Sequence, residues 1–175
     1  MKRLAALIAL AAAPALAQFP DRPPSLEGIY AAIGGGGQLM IAGDNGFGYD
    51  AEARLGYSFG PATGVFLSGA IDGAIVSGIS TKSIQVAAFL QYHLAASRNV
   101  MVYTRAGIGL GLVPSFYLDQ TGAGLAAAGG LGLEIRVGEG VYLGPELFYR
   151  RATVSVSGAS GDVQVIGLQL NLVYY

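Results

Sequence analysis

Charge is scarce in this chain of 175 residues, and its placement is regular. Asp50, Glu52 and Arg54 follow one another at a spacing of two, as do Glu134 and Arg136; Glu146 and Arg150 lie four apart. Asp72 and Arg105 stand alone in otherwise apolar stretches. On an extended strand, residues two apart share a face. These nine side chains, five acids and four bases, can therefore face one interior if the strands close on themselves. A selective ion path would carry a ring of one sign. Near balance predicts cross-paired charges instead, because an unpaired charge in a narrow, dry interior is strongly unfavourable.

Other candidate chemistry is thinner. His93 is the single histidine, with Ser97 four residues on. A catalytic base must reach its nucleophile by hydrogen bond, and both must reach the substrate. His93 falls at the end of an extended segment on its interior face, so a structural histidine and no catalytic residue are expected. One His and no Cys exclude a metal site built from several such ligands, and no cofactor is expected. Gly107, Gly109 and Gly111 lack the strand–turn–helix setting of a dinucleotide-binding loop. At period two, beside Gly130 and Gly132, they read as space for Tyr103, Phe89 or Arg side chains from facing walls.

The composition narrows the class. Hydrophobic residues make up 53%, charged residues 12%, with 28 Gly and a mean hydropathy of +0.51. Yet past the N-terminus no run reaches the roughly 18 apolar residues that a spanning helix needs. Residues 1–17 have the layout of a secretory signal peptide: Lys2 and Arg3, an apolar run from Leu4 to Ala13, and Ala15-Leu16-Ala17 before Gln18. Cleavage there would leave eight basic and eleven acidic residues, a formal charge of −3, which is no footprint for nucleic acid. Residues 18–27 read as an N-terminal lead and residues 28–175 as a single domain.

That domain alternates at period two about eight times, the mark of strands with two chemically different faces. In Tyr49 to Phe59, Tyr49, Leu55, Tyr57 and Phe59 share one face while Asp50, Glu52, Arg54 and Ser58 share the other. Clear segments recur at Ile84 to Leu94, Val100 to Leu112, Gly130 to Val137 and Ile166 to Tyr174. Weaker ones span Gly28 to Ile41, where Gly34 to Gly37 erase the pattern, Gly64 to Val76, and Val141 to Thr153, where Pro145 favours a bulge. The polar face is thin and rich in Gly, Ala and Ser, so it cannot cover a soluble surface. Turned inside out, the apolar face meets lipid and the charges fill a narrow lumen. A closed barrel also satisfies every backbone group within the bilayer. The predicted fold is an all-β, eight-stranded, antiparallel up-and-down transmembrane β-barrel.

Tight connections are expected at 60–62, 96–99 and 138–140, and longer ones at 43–46, 78–82, 114–122 and 155–162. Short turns belong on the periplasmic side, which places both termini there. Phe47, Tyr49 and Tyr149 would then form an outer aromatic girdle, and Tyr57, Phe59, Tyr92 and Tyr174 an inner one. Lys82 and Arg151 fall at the outer rim, where lipopolysaccharide phosphates could pair with them. Such a chain resembles the small eight-stranded outer-membrane barrels: the transmembrane domains of the outer membrane protein A and X type, and the opacity-protein group. The resemblance covers residues 28–175 and includes the last strand, Val165 to Tyr175, although Tyr174 and not Tyr175 is in phase with its leucines. It implies residence among outer-membrane lipids and lipopolysaccharide of a Gram-negative bacterium, and delivery by the barrel-assembly machinery. Lipid-modifying barrels of similar build, a lipid A deacylase and a lipid A palmitoyltransferase, pair His with Ser near the outer leaflet, where His93 does not fall. The expected role is structural or surface-interacting, as a monomer with its lumen plugged by charged side chains. A narrow porin, a lipid-modifying enzyme and a soluble lipocalin-like barrel are the alternatives.

Overall fold

In the computed structural model of the protein, residues 26–115, 120–156 and 159–175 are described; the segment read as a signal peptide and most of the lead lie outside them. Eight strands follow in chain order: β1 Glu27–Ala42, β2 Asp44–Phe59, β3 Thr63–Val76, β4 Ile79–Ala96, β5 Val100–Ser115, β6 Gln120–Gly138, β7 Val141–Val156 and β8 Ala159–Tyr174. Each pairs with the next antiparallel, and β1 pairs with β8 to close the barrel. No sheet edge is left open.

The faces are inverted relative to a water-soluble barrel. Outward positions carry Ile33, Leu55, Leu67, Val86, Ile108, Leu125, Leu147 and Leu168, all exposed. Inward positions carry Glu52, Arg54, Asp72, Arg105, Glu134, Glu146 and Arg150, each at most 4% exposed. An apolar exterior of this extent around a polar interior is the arrangement that lipid, not water, rewards.

The glycine run does not break β1. Gly34 and Gly36 keep the inward phase of Tyr30, Ala32, Gln38 and Met40, and the run pairs without interruption to β2 and β8. A Cβ on Gly36 would collide with the backbone of Leu168 and Gln169, whereas one on Gly37 would meet nothing closer than 4.0 Å. Gly36 thus permits a close approach at the seam that closes the barrel. Pro145 does not bulge β7: it sits in register opposite Leu170. On its other side the ladder passes from Gly132–Glu146 to Ile135–Leu143 with unchanged register. The missing N–H removes a rung and adds no residue. The two register shifts fall at His93/Ala95 and Arg136/Gly138, next to turns.

The longer connections expected from the sequence are mostly strand, with residues 116–119 and 157–158 of them lying outside the described residues. β2 begins at Asp44, β4 at Ile79, β6 at Gln120 and β8 at Ala159. Polar rim residues continue the ladder beyond the apolar band, and positive φ angles close it: Gly43 (80°) alone between β1 and β2, and Ser77 (50°) with Gly78 (79°) between β3 and β4. The latter pair has the sign pattern of a two-residue hairpin turn matched to strand twist. Asp44 braces it by accepting from Ser77 Oγ at 2.5 Å. Both ends of the barrel therefore close over short connections, and loop length does not distinguish them.

Candidate functional site: the charged lumen

Strand alternation drives Glu52 of β2 to the middle of the interior, where it becomes a hub. Its carboxylate accepts two bonds from Arg105, Nη1 to Oε1 at 2.7 Å and Nη2 to Oε2 at 2.8 Å. It accepts further bonds from Arg54 Nη2 (2.9 Å), Arg150 Nη2 (2.9 Å), Gln169 Nε2 (3.0 Å) and the Ser68 hydroxyl. Glu146 of β7 is the second acceptor, taking Arg105 Nε at 2.6 Å, Arg54 Nη2 at 2.7 Å, Tyr103 Oη at 2.5 Å and Asn171 Nδ2 at 3.1 Å. Paired guanidinium–carboxylate contacts of this geometry are the strongest hydrogen bonds a protein makes. Five strands contribute, β2, β3, β5, β7 and β8, so the network ties the barrel across its width.

Aromatic rings and missing side chains hold the arginines in place. The Arg105 guanidinium lies 4.6 Å from the Phe89 ring centre, and that of Arg150 lies 4.0 Å from Phe148. Phe89 stacks on Phe66 at 5.1 Å. Space for these groups comes from glycines on the neighbouring strand, directly opposite in register and not on the facing wall as expected: Gly132 pairs with Tyr103 and Gly107 with Phe89. A Cβ on Gly132 would strike the Tyr103 ring, and one on Gly107 the Phe89 ring.

Nearer the termini lies a second cluster. Tyr175 Oη donates to Glu134 Oε2 at 2.8 Å, and His93 Nε2 sits 3.2 Å from Tyr175 Oη, 3.3 Å from Gln91 Nε2 and 3.4 Å from Glu134 Oε2. Tyr30 and Tyr142 pack edge-on against the Tyr175 ring. The last residue of the chain thus turns into the lumen, while Tyr174 faces out. Ser97 is not His93's partner: its hydroxyl donates to Val100 O and accepts from the Val100 and Asn99 amides, closing the β4–β5 turn.

Seven of the nine charges named from the sequence converge on the central network, with Asp72 and Asp50 reached through Arg150 at 2.7 and 3.7 Å. Glu134 belongs to the second cluster. Arg136 joins neither: it is half-buried beside the β6–β7 turn and donates from Nε to Gly138 O. The buried interior therefore holds five acids and three arginines, not a near balance. Of the rim bases, Arg151 is ion-paired with Asp162 on the outer face, and Lys82 is partly exposed on β4. Phe47, Tyr49, Tyr57, Phe59, Tyr92, Tyr149 and Tyr174 all stand exposed on the exterior. Tyr103 was expected in the lumen as a space-filling ring and not as a hydrogen-bond donor to Glu146; Gln169, Asn171 and Ser68 were not expected in the network, because only the ionised groups were assigned to it. Among the described residues, no three His, Cys, Asp or Glu side chains are grouped to hold a metal.

A closed eight-stranded barrel, apolar outside and charged within, defines an outer-membrane β-barrel, and comparison with known proteins agrees. Residues 4–175 match the model of the outer membrane protein beta-barrel domain, and the chain belongs to that family. Among solved structures it is similar to Neisserial surface protein A, with a TM-score of 0.68 and 14% identity over 83% of this chain and 96% of that one. It is more distantly similar to Ail, the attachment invasion locus protein of Yersinia pestis (TM-score 0.47, 18% identity, 83% and 98% covered). The same holds for the N-terminal β-barrel domain of Pseudomonas aeruginosa OprF (TM-score 0.47, 14% identity, 86% and 100% covered). At such identities the likeness concerns the fold. Comparison with curated protein sequences gave no match.

Proposed function

We propose that the protein is a non-conducting, structural barrel of the outer membrane, without enzymatic activity, whose lumen is plugged by its own side chains. The Glu52 hub carries this reading. Three arginines and two glutamates, all buried, fill the waist and bond to one another across it. An eight-stranded barrel is only wide enough for side chains to fill. Among the described residues, no single-signed ring lines the interior as a selective pore would require. The separation of His93 from Ser97 supports the non-enzymatic reading. Residues 1–17 act as the signal peptide, both termini face the periplasm, and the barrel-assembly machinery inserts the chain as a monomer. The outward aromatics serve as two girdles, and Arg151 and Lys82 meet lipopolysaccharide phosphates at the outer rim.

The test is current recording across planar bilayers containing the refolded protein, with heat-modifiable gel mobility as the check on folding. The expected result is no discrete conductance steps. Steady steps from a folded sample would replace this reading with a narrow porin. Lipid mass spectrometry on lipopolysaccharide-containing vesicles tests the enzymatic alternative, and altered acyl chains would establish it.

A further inference from the structure

The half of the lumen away from the termini holds polar groups that the central network does not satisfy. Asp50 and Asp72 are directly opposite on β2 and β3, at 4% and 0% exposure. Both Asp50 oxygens and Asp72 Oδ2 lack a hydrogen-bond partner. Ser83, opposite Asp72 on β4, is fully buried with its hydroxyl unpartnered. Gln38 and Gln85 are 5% and 3% exposed, and neither amide has a partner at oxygen or nitrogen. Gln38 pairs with Gly48, two residues from Asp50, and Gln85 pairs with Ala70, two residues from Asp72. Each is therefore a diagonal same-face neighbour of a carboxylate, within reach for a long side chain.

Charge points the same way as these orphaned atoms. Across the buried interior five acids face three arginines, 3 − 5 = −2, which one divalent cation would balance. Glu52 and Glu146 pair with Arg54 and Arg105, which leaves Asp50 and Asp72 to share Arg150, itself also bonded to Glu52. A void of about 10 Å³, space for about one water-sized particle, touches the group at Gln85 and is otherwise bordered by Ser68, Ala70, Ala87, Phe89, Ala128 and Arg150. A proton on Asp50 would remove charge but leave the facing neutral oxygens unsatisfied. Water would satisfy the oxygens and leave the charge. A cation offsets charge and takes up the unpartnered oxygens, leaving only the two amide nitrogens without a partner, and a donor set made only of oxygen selects a hard one.

We propose that Asp50 and Asp72 hold a divalent alkaline-earth cation such as Ca²⁺ inside the barrel, with oxygens of Ser83, Gln38 and Gln85 completing its shell. The apolar cluster of Met40, Ala74, Val76, Phe148, Val163 and Val165 packs beside this region, so the ion enters as the barrel folds.

The test refolds the protein in nonionic detergent free of lipopolysaccharide, with Ca²⁺, with Tb³⁺ or with a chelator present throughout. The chain has 10 Tyr and no Trp, so tyrosine-sensitised terbium emission reports proximity to the interior. The expected results are saturable emission displaced by Ca²⁺, and an unfolding temperature several degrees higher in Ca²⁺ than in chelator. Asp50→Asn should weaken binding at least tenfold and unfold at a higher temperature than wild type in chelator, since it loses a charge but no hydrogen bond. Asp162→Asn, at the exposed rim, should bind as wild type does. Absence of sensitised emission, emission unchanged by Asp50→Asn, or no stabilisation by Ca²⁺ would each overturn the proposal and leave these groups to water. Should Asp72→Asn fail to fold for want of its Arg150 bond, Asp50→Asn decides alone.

Discussion

Arg105 joins both glutamates of the central network, holding Glu52 with two nitrogens, Glu146 with a third, and lying over Phe89. Replacing it with Met leaves two buried carboxylates short of a partner, a change that costs about 3–5 kcal/mol when one member of a buried pair is removed. Lys82→Met, at a partly exposed position, should stay within about 0.5 kcal/mol. Denaturant unfolding followed by gel mobility compares them, and equal midpoints would count against a buried network. Period two in the sequence was enough to send Asp50, Glu52, Arg54, Arg105, Glu146 and Arg150 inward, because alternation fixes the face. It does not fix depth or reach. Arg136 has the inward phase, but it lies beside a register shift and a turn, so it bonds the backbone of Gly138. Tyr175 illustrates the converse: being out of phase with the leucines was already the sign that it points in. Tyr175→Phe removes its bond to Glu134 and should destabilise by about 1 kcal/mol, measured in the same unfolding assay.

Among the elements, β1 is the one whose pattern the sequence concealed. A glycine has no side chain to alternate, so Gly34 to Gly37 carried no signal, yet the strand runs through them because β2 and β8 hold both of its edges. The collision at Gly36 and the open space at Gly37 make a sharp comparison. Gly36→Ala should strain the β1–β8 seam and lower the yield of heat-modifiable, folded protein, while Gly37→Ala should refold as wild type does. Equal yields would mean that β8 shifts to make room. The Ser77–Gly78 turn was similarly hidden among residues that read as loop. Gly78→Ala places a side chain at φ 79°, where an L-residue is disfavoured by about 1–2 kcal/mol. A destabilisation of that size, with the barrel still able to form, is the expected equilibrium result.

At the scale of the whole molecule, the decisive inference was that sparse charge and broken apolar runs together exclude both a soluble surface and spanning helices. Strand number and class followed from that. Orientation did not, because strand ends rich in Gly, Ser and Asp look like loops until their pairing is seen. If the Glu52 hub seals the lumen, weakening it should open a leak. Glu52→Ala combined with Arg105→Ala is expected to give discrete ionic steps in planar bilayers where the wild-type barrel gives none. A double variant that folds and remains silent would place the seal elsewhere, in the Tyr30–Tyr142–Tyr175 cluster or the apolar group around Met40 and Phe148.

At most four residues separate any two consecutive strands, at one end of the barrel as at the other. Such a protein offers a digestive enzyme or an antibody very little peptide to grip. Intact cells treated with trypsin should release no fragment of it, and antisera raised against the folded barrel should react poorly with whole bacteria. Its presence at the cell surface would be hidden beneath the sugars of its neighbours.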